Sequence, residues 1–377
     1  MFRKSLDFRL NPEQASFAFF PNTSTYAPIL YLPQSLAILS VKFFNPSPLI
    51  LLYAARLFNL FSWTILIYFA VIFSPVYKWL FVLLALTPMS VFQAASMSPD
   101  ALTNGAAFCF ISIIFRLALD KNASFRKLDL FILILLLMFL TLSRYAYGFL
   151  CILFFMIPVK KFHSLQNYLK AAAILFIVTF LTLLTGGLFV KHIYDSVDPA
   201  VSYYGGSMDF IHPYSQWKFM ITHVVFYLKT LLMTIWTNKL FIHSFIGQLG
   251  WLDTPVPHVY IWLAVFTLIV IGLFENDQNM TIDFRKKLII LISICSVIFA
   301  INILLYLSWT PVGSAIIEGF QGRYLIPFAP LIFSLFYNRK LKLPEKRVAL
   351  ISIGYILISF LVMNYSLIAR YYIVNAQ

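Results

Sequence analysis

Long apolar runs separated by short polar breaks make up most of this chain. A helix that crosses a bilayer needs roughly 20 consecutive apolar residues, and ten runs reach or approach that length. They lie at residues 48–74, 79–96, 101–119, 128–142, 145–159, 169–190, 258–274, 288–307, 324–337 and 348–369. The pattern predicts an all-α polytopic membrane protein, built as a bundle of about 10 transmembrane helices.

The breaks between these runs alternate between basic and non-basic. The basic connectors contain Lys78; Lys121, Arg126 and Lys127; Lys160, Lys161 and Lys170; Arg285, Lys286 and Lys287; and Arg339, Lys340, Lys342, Lys346 and Arg347. Cytoplasmic loops are enriched in lysine and arginine, so we expect these connectors to be cytoplasmic. The breaks at 97–100, 143–144, 191–257 and 308–323 then lie on the outer face, together with both chain ends.

The apolar stretch 27–44 fits a membrane core poorly because it contains Pro33, Gln34 and Lys42. Residues 1–26 lack the apolar core of a signal peptide. One interpretation makes 27–44 a helix at the membrane interface, with a first span upstream that this chain lacks. The other makes it an eleventh span and places the start of the chain inside.

Composition agrees with a membrane protein. The chain is 61% hydrophobic, whereas soluble domains have about 45–50% apolar residues. Its net charge of +14 is explained by the basic connectors, and no soluble segment combines a basic cluster with interleaved aromatic residues, so we expect no nucleic-acid partner. Cys109, Cys151 and Cys295 all lie in apolar runs and predict no disulfide framework.

The apolar runs and the breaks between them divide the chain into four parts. They are an extracytoplasmic or interfacial segment at 1–47, an N-terminal transmembrane module at 48–190, an extracytoplasmic loop at 191–257 and a C-terminal transmembrane module at 258–377. The loop combines four histidines, and a fifth (His258) at its edge, with aspartates and large aromatic residues, which is typical of a lid or carbohydrate-facing cap and equally of a membrane interface. Within it, 216–236 is amphipathic enough to lie along the membrane surface, and Gly205-Gly206 predicts a flexible turn. The histidines are too widely spaced for a zinc motif.

Four ionisable residues stand at the predicted outer ends of spans. They are Arg56, two turns inside the first span, Asp100 in Ser98-Pro99-Asp100, Arg144 in Leu142-Ser143-Arg144-Tyr145, and Arg323 in Gln321-Gly322-Arg323-Tyr324. Arginine donates bidentately to phosphate oxygens, so the three arginines are candidate ligands of a phosphate or diphosphate. Asp100 would then serve as a base or help to hold a divalent cation.

A structural interpretation of the same residues stays open. The arginines could extend to the interface or pair with Asp100 and Glu318 to steady the bundle. Asp100 could simply favour the start of its helix, where an acid is stabilised by the helix dipole. Arg56 lies too deep to reach the interface easily, so we expect it to bind phosphate or to form a buried ion pair with Asp100.

Five separated sequence motifs are similar to those of a known protein family. They are Tyr26-Ala27-Pro28 to Tyr31-Leu32-Pro33-Gln34, Ser98-Pro99-Asp100-Ala101-Leu102-Thr103, Leu142-Ser143-Arg144-Tyr145, Leu249-Gly250-Trp251-Leu252-Asp253 and Gln321-Gly322-Arg323-Tyr324-Leu325-Ile326-Pro327. Together they look like a largely uncharacterised bacterial family of multi-pass membrane proteins that is grouped with the C-type (GT-C) glycosyltransferases.

That resemblance implies a GT-C-like bundle in the bacterial plasma membrane. The chain would transfer a sugar from a polyprenyl-phosphate-linked donor to a glycan, lipid or protein acceptor in cell-envelope glycan synthesis or modification. Asp100 would be catalytic, while Arg56, Arg144 and Arg323 would bind the donor phosphate. The residues expected to bind substrate are Gln321, Tyr324, Trp251, Asp253 and Glu318.

The chain departs from similar enzymes in one respect. They carry an acidic residue in the first extracytoplasmic loop, just after a first helix, and residues 1–26 offer only Asp7 and Glu13 without that helix. The chain is then either a truncated or non-catalytic assembly partner of an envelope-polysaccharide complex, or an enzyme whose Asp100 matches a second acidic position. A transporter or flippase for a lipid-linked solute is the third alternative.

Overall fold

A computed structural model describes residues 6–9, 26–196, 211–238, 241–277 and 280–373. Within these ranges the protein is almost entirely helical, with one two-stranded antiparallel sheet. The predicted all-α architecture is thereby confirmed for the described part of the chain. The turn expected at Gly205-Gly206 lies outside the described residues.

The described α-helices are numbered in chain order. They are α1 (Leu32–Val41), α2 (Pro48–Phe73), α3 (Lys78–Ala85), α4 (Pro88–Ala94), α5 (Asp100–Leu119), α6 (Lys127–Ser143), α7 (Leu165–Ser196), α8 (Pro213–Thr222), α9 (Val224–Thr237), α10 (Phe241–Ile246), α11 (His258–Phe274), α12 (Phe284–Ser308), α13 (Ala329–Ser334) and α14 (Glu345–Ile368). The strands β1 (Gln248–Leu249) and β2 (Thr254–Pro255) form a hairpin between α10 and α11.

Helix α5 is the centre of the bundle, and nearly all of its residues are buried. Its neighbour α2 packs against it along one face and leaves most of its other side chains exposed. The two helices approach closely at Gly105, where a Cβ atom would lie 2.7 Å from Cβ of Leu66. A small residue is therefore required at this crossing.

Among the described residues, five helices are long and apolar enough to cross a membrane, namely α2, α5, α7, α12 and the helix that begins with α14. The pair α8 and α9 would add a sixth span, although a bend of 107° separates them. The predicted number of about ten spans is not confirmed by this criterion, because the remaining apolar runs form shorter or broken helices.

Two of the apolar runs depart from a single long α-helix in different ways. The run at 79–96 is interrupted because Thr87 caps a new helix and Pro88 occupies its first position, which separates α3 from α4. The run after Arg144 forms a 3₁₀ helix, Tyr145–Met156. At a rise of about 2.0 Å per residue, its 12 residues extend further than an α-helix of the same length.

The stretch 27–44 forms a 3₁₀ turn (Pro28–Tyr31), helix α1 and a second 3₁₀ turn (Lys42–Phe44). Helix α1 has 10 residues and at ~1.5 Å per residue is too short to cross a bilayer by itself. It packs on α2 and exposes Leu36 and Leu39, while Phe43 and Phe44 beyond it are even more exposed. This geometry suits a helix at the interface, which stays a prediction.

The end of the bundle that carries the basic connectors is held together by charged side chains. Arg116 near the end of α5 pairs with buried Asp129 near the start of α6 (2.5 Å). Lys161 donates to the carbonyl of Asp120 (2.5 Å). Glu275 accepts the backbone N–H groups of Trp79 and Leu80 at the first turn of α3 (2.8 and 2.9 Å). The candidate site lies at the opposite end.

Candidate functional site

Asp100 is the first residue of α5, and its backbone N–H donates to Oγ of Ser98 (3.1 Å). Asp100 is not the N-cap residue, which is Pro99, and no described hydrogen bond joins its carboxylate to a backbone N–H of α5. Instead, Oδ2 accepts a hydrogen bond from Nε2 of Gln93 (3.0 Å), and Oδ1 lies 3.7 Å from Nη2 of Arg144. Helix capping alone therefore does not account for the contacts of this side chain.

Gln93 is itself oriented by a second amide. Nδ2 of Asn104, one turn into α5, donates to Oε1 of Gln93 (3.0 Å), and both side chains are buried. This bond directs the Nε2 donor of Gln93 toward Asp100. The sequence interpretation missed both residues, although two amides within apolar runs were an available signal.

Arg144 follows the last residue of α6 and reaches Asp100 because the two helix ends are tied together. Oγ1 of Thr103 and Oγ of Ser143 share a hydrogen bond of 2.5 Å. The guanidinium carbon of Arg144 lies 4.1 Å from the ring centroid of Tyr324, a cation–π contact. Arg144 thus presents one edge to a carboxylate and one face to an aromatic ring.

Arg323 and Tyr324 belong to a 3₁₀ helix, Gly322–Phe328, whose start is fixed by α10. The N–H of Gly322 donates to Oγ of Ser244 (2.8 Å), and a Cβ at Gly322 would lie 1.9 Å from the carbonyl oxygen of Phe241. The hydroxyl of Tyr147 donates to the carbonyl of Tyr324 (3.0 Å).

The two arginines therefore meet at one ring. The guanidinium of Arg323 lies 5.7 Å from the Tyr324 ring centroid, so Arg144 and Arg323 share this aromatic side chain. The predicted residues Asp100, Arg144, Arg323 and Tyr324 form one cluster.

Tyr26 adjoins this cluster and was not predicted as a site residue. Arg144 acts most strongly on the Tyr26 phenol and lowers its pKa, but burial and the charge of Asp100 outweigh this effect, and the pKa is raised. Burial also raises the pKa of Tyr31 to about 12. Both phenols keep their protons at neutral pH and remain hydrogen-bond donors. The string at Tyr26 contributed to the family resemblance, which was the available signal.

Arg56 lies at the same end of the bundle but makes a different contact. Its Nε donates to the carbonyl of Ala95 (2.6 Å), and its guanidinium lies 5.8 Å from the ring of Tyr53. Asp100 pairs with Arg144 and not with Arg56. The expected ion pair between Arg56 and Asp100 is therefore not formed, and Arg56 instead donates a hydrogen bond to the backbone carbonyl of Ala95.

The other predicted substrate ligands are more dispersed. Trp251 is 98% exposed at the tip of the β1–β2 hairpin, and Asp253 accepts its N–H (3.1 Å) and pairs with Arg370 (3.1 Å). Glu318 is exposed, and its backbone N–H donates to Thr310. Gln321 directly precedes Gly322 and has a buried Oε1 without a hydrogen-bond partner in the part of the chain that the structure describes.

Four histidines fall in the loop at 191–257, and His258 lies at its edge. Nε2 of His243 and Nδ1 of His258 are joined by a hydrogen bond of 2.6 Å. Across the described ranges, no group of three or more His, Cys, Asp or Glu side chains is arranged to hold a metal ion. The pair is therefore best described as a contact between α10 and the start of α11.

The cluster combines an anion-binding group and a potential proton acceptor at one end of the bundle. Arg144 and Arg323 supply positive charge and N–H donors suited to a phosphate, with the Tyr26 hydroxyl nearby. Asp100 supplies a carboxylate that Gln93 and Arg144 hold in place. These are the requirements for binding an anionic group beside a potential proton acceptor.

No curated protein and no solved structure matches this chain. A family model described as "Predicted membrane protein (DUF2142)" matches residues 2–332. This match covers most of the 377 residues, and the protein therefore belongs to the DUF2142 family of membrane proteins.

Proposed function

We propose that this protein is a membrane glycosyltransferase that uses a polyprenyl-phosphate-linked sugar donor at the outer face of the plasma membrane. The observation that carries the proposal is the position of Asp100, 3.7 Å from Arg144, which shares the Tyr324 ring with Arg323. A carboxylate beside two arginines suits a reaction in which one reactant loses a proton and the other releases a phosphate.

The proposed step has few requirements. The acceptor hydroxyl oxygen attacks the anomeric carbon, and the bond between that carbon and the phosphate oxygen breaks. The departing phosphate takes the electron pair and is stabilised by Arg144 and Arg323, while Asp100 takes the hydroxyl proton. The alternative role of Asp100, holding a divalent cation, would require the substrate's phosphate oxygens as further ligands.

A lipid-linked donor fits a site at the end of an apolar bundle. The sugar-phosphate headgroup would bind at the end of the bundle that carries Arg144 and Arg323, while its apolar tail would lie among the helices. Gln321 and Tyr324 lie within two residues of Arg323 in the sequence and are the nearest of the proposed substrate ligands to it along the chain. Trp251, Asp253 and Glu318 would contact the acceptor or a more distant part of the substrate.

A non-catalytic assembly role is the alternative with an observation in its favour. Asp100 is already engaged by Gln93 and Arg144, and such a network also steadies helix ends. The two functions differ in what happens when the carboxylate becomes an amide. An assembly partner would retain its function if the amide kept the packing, whereas an enzyme would lose its base.

The test uses purified protein in nanodiscs with a radiolabelled polyprenyl-phosphate sugar and membrane-derived acceptor glycans. We expect Asp100→Asn to reduce transfer by about 10²-fold or more while the protein remains folded. The matched control is Asp283→Asn, because Asp283 caps α12 at the opposite end of the bundle (2.9 Å to Lys286 N) and asparagine caps equally well. Full activity in Asp100→Asn would reject the catalytic role.

A further inference from the structure

The loop at residues 95–98, separated from Asp100 by Pro99 alone, is held by side chains from two other helices. Nε of Arg56 donates to the carbonyl of Ala95 (2.6 Å). Nδ2 of Asn59 donates to the carbonyls of Ser96 (2.8 Å) and Ser98 (3.2 Å). Nε2 of Gln34 donates to the carbonyl of Met97 (3.4 Å). Four consecutive carbonyl groups thus each accept a hydrogen bond from a side chain of α1 or α2.

Burying the amide side chains that hold this loop has a free-energy cost. Asn59 and Gln34 are 0% and 2% exposed, and burying polar side chains in an apolar bundle is unfavourable unless they form hydrogen bonds. Their amide hydrogens satisfy the carbonyls of the loop, but their oxygens, Oδ1 of Asn59 and Oε1 of Gln34, have no hydrogen-bond partner among the described residues. A loop open to water could have satisfied its carbonyls by hydration.

The held loop fixes the start of α5. Ser98 provides the Oγ that accepts the Asp100 N–H (3.1 Å), and the carbonyl of Pro99 accepts the N–H and the hydroxyl of Thr103 (3.2 and 3.0 Å). Thr103 in turn bonds to Ser143, next to Arg144. A displacement of the loop would therefore move both members of the Asp100–Arg144 pair.

We propose that Gln34, Arg56 and Asn59 are positioning residues that hold the 95–98 loop and thereby set the placement of the Asp100 carboxylate. The activity arm of the test rests on the proposed function, whereas the structural arm does not. Arg56 acts here through the Ala95 carbonyl and not as a ligand of the donor phosphate. Helix α1 contributes Gln34 to this arrangement.

The structural arm measures hydrogen–deuterium exchange in nanodiscs. Asn59→Leu removes both donors at similar size, and we expect the amides of residues 96–103 to exchange about 10-fold faster. The matched control is Asn302→Leu, because Asn302 is also fully buried in a membrane helix, yet its amide donates only within that helix, to Ile298 (2.8 Å). Unchanged exchange at 96–103 in Asn59→Leu would overturn the proposal.

The kinetic arm separates positioning from phosphate binding. We expect Arg56→Met to lower kcat by about 10- to 100-fold with an unchanged KM for the lipid donor, and Arg56→Lys to restore most of kcat. A raised donor KM with unchanged kcat would instead assign Arg56 to the phosphate and overturn its positioning role. If wild-type protein transfers no sugar, the proposed function fails, and the exchange experiment still decides whether the loop is held as proposed.

Discussion

At the scale of single residues, the Asp100–Arg144 pair is held by two helix ends as well as by its own attraction. Asp100 lies at the N-terminus of α5 and Arg144 just beyond the C-terminus of α6, so each charge is favoured by the dipole of its helix. Their separation of 3.7 Å is longer than a hydrogen bond. Donors of Arg144 therefore remain available to a phosphate that binds beside the carboxylate.

Gly322 provides a residue-scale test of how Arg323 is placed. In Gly322→Ala the new Cβ would meet the carbonyl oxygen of Phe241 at 1.9 Å, and backbone cannot move as easily as a flexible side chain. We expect a loss of stability of about 1–3 kcal/mol, measured as a lower thermal midpoint in detergent. Gly354→Ala is the control, because a Cβ there meets nothing within 4 Å and alanine favours the helix. Equal midpoints for the two variants would contradict the described contact between α10 and the 3₁₀ helix.

The sequence predicted those site residues that carry a charge within or next to a long apolar run. Asp100, Arg144 and Arg323 were identified in this way, and the structure brings them together. Gln93, Asn104 and Tyr26 were missed because uncharged polar residues occur in membrane helices for many reasons, and only their contacts distinguish them. The partner of Arg56 was missed because a backbone carbonyl leaves no trace in the sequence.

At the scale of elements, hydrophobicity predicted where helical segments occur better than how long or regular they are. The run at 79–96 reads as one apolar segment, whereas the structure divides it into α3 and α4 at Thr87 and Pro88. The first turn of α3 also needs a hydrogen-bond acceptor from elsewhere in the protein, because the N–H groups at the N-terminus of a helix have no acceptor within the helix. Glu275, far away in sequence, fills that role.

Glu275 makes the stability of this helix start depend on pH. It lies in the connector after α11, outside the spans, and burial raises its pKa from 4.5 to about 7, although the N–H groups of Trp79 and Leu80 act in the opposite direction. An acid whose pKa is raised in the folded state adds stability that is complete below about pH 4.5 and is lost as the pH rises through about 7.

We therefore expect the thermal midpoint of the wild type to fall between pH 5 and pH 8 relative to Glu275→Gln, which has no titrating group here. The difference in free energy of unfolding is on the order of 3 kcal/mol at most, since each pKa unit corresponds to about 1.4 kcal/mol. Differential scanning fluorimetry of both proteins across this range would measure it. Parallel pH curves for the two proteins would show that Glu275 titrates as an ordinary carboxyl group.

At the scale of the whole molecule, the two ends of the bundle have different chemistry. One end carries the basic connectors and is held by Arg116–Asp129, Lys161 and Glu275. The other carries the Asp100 cluster and the held loop. The positive-inside rule predicts that the basic end is cytoplasmic and that the cluster is on the outer face, and this orientation stays a prediction.

Thiol labelling of intact cells tests that orientation. We expect Met97→Cys, in the partly exposed loop before Asp100, to react with a membrane-impermeant maleimide from outside. Asn122→Cys, exposed in the connector between α5 and α6, should react only after permeabilisation. Both variants need Cys295→Ala as background, because Cys295 is exposed whereas Cys109 and Cys151 are buried.

The result decides which donors the site could meet. Labelling of Met97→Cys from outside would place the arginines where nucleotide-activated sugars are absent, and a lipid-linked donor would be the remaining source of a sugar phosphate. The opposite pattern would place the Asp100 cluster beside cytoplasmic nucleotide sugars and contradict the outer-face assignment. Because the basic connectors are at the other end of the bundle, such a reversal would also require about five basic loops to cross the membrane, against their charge.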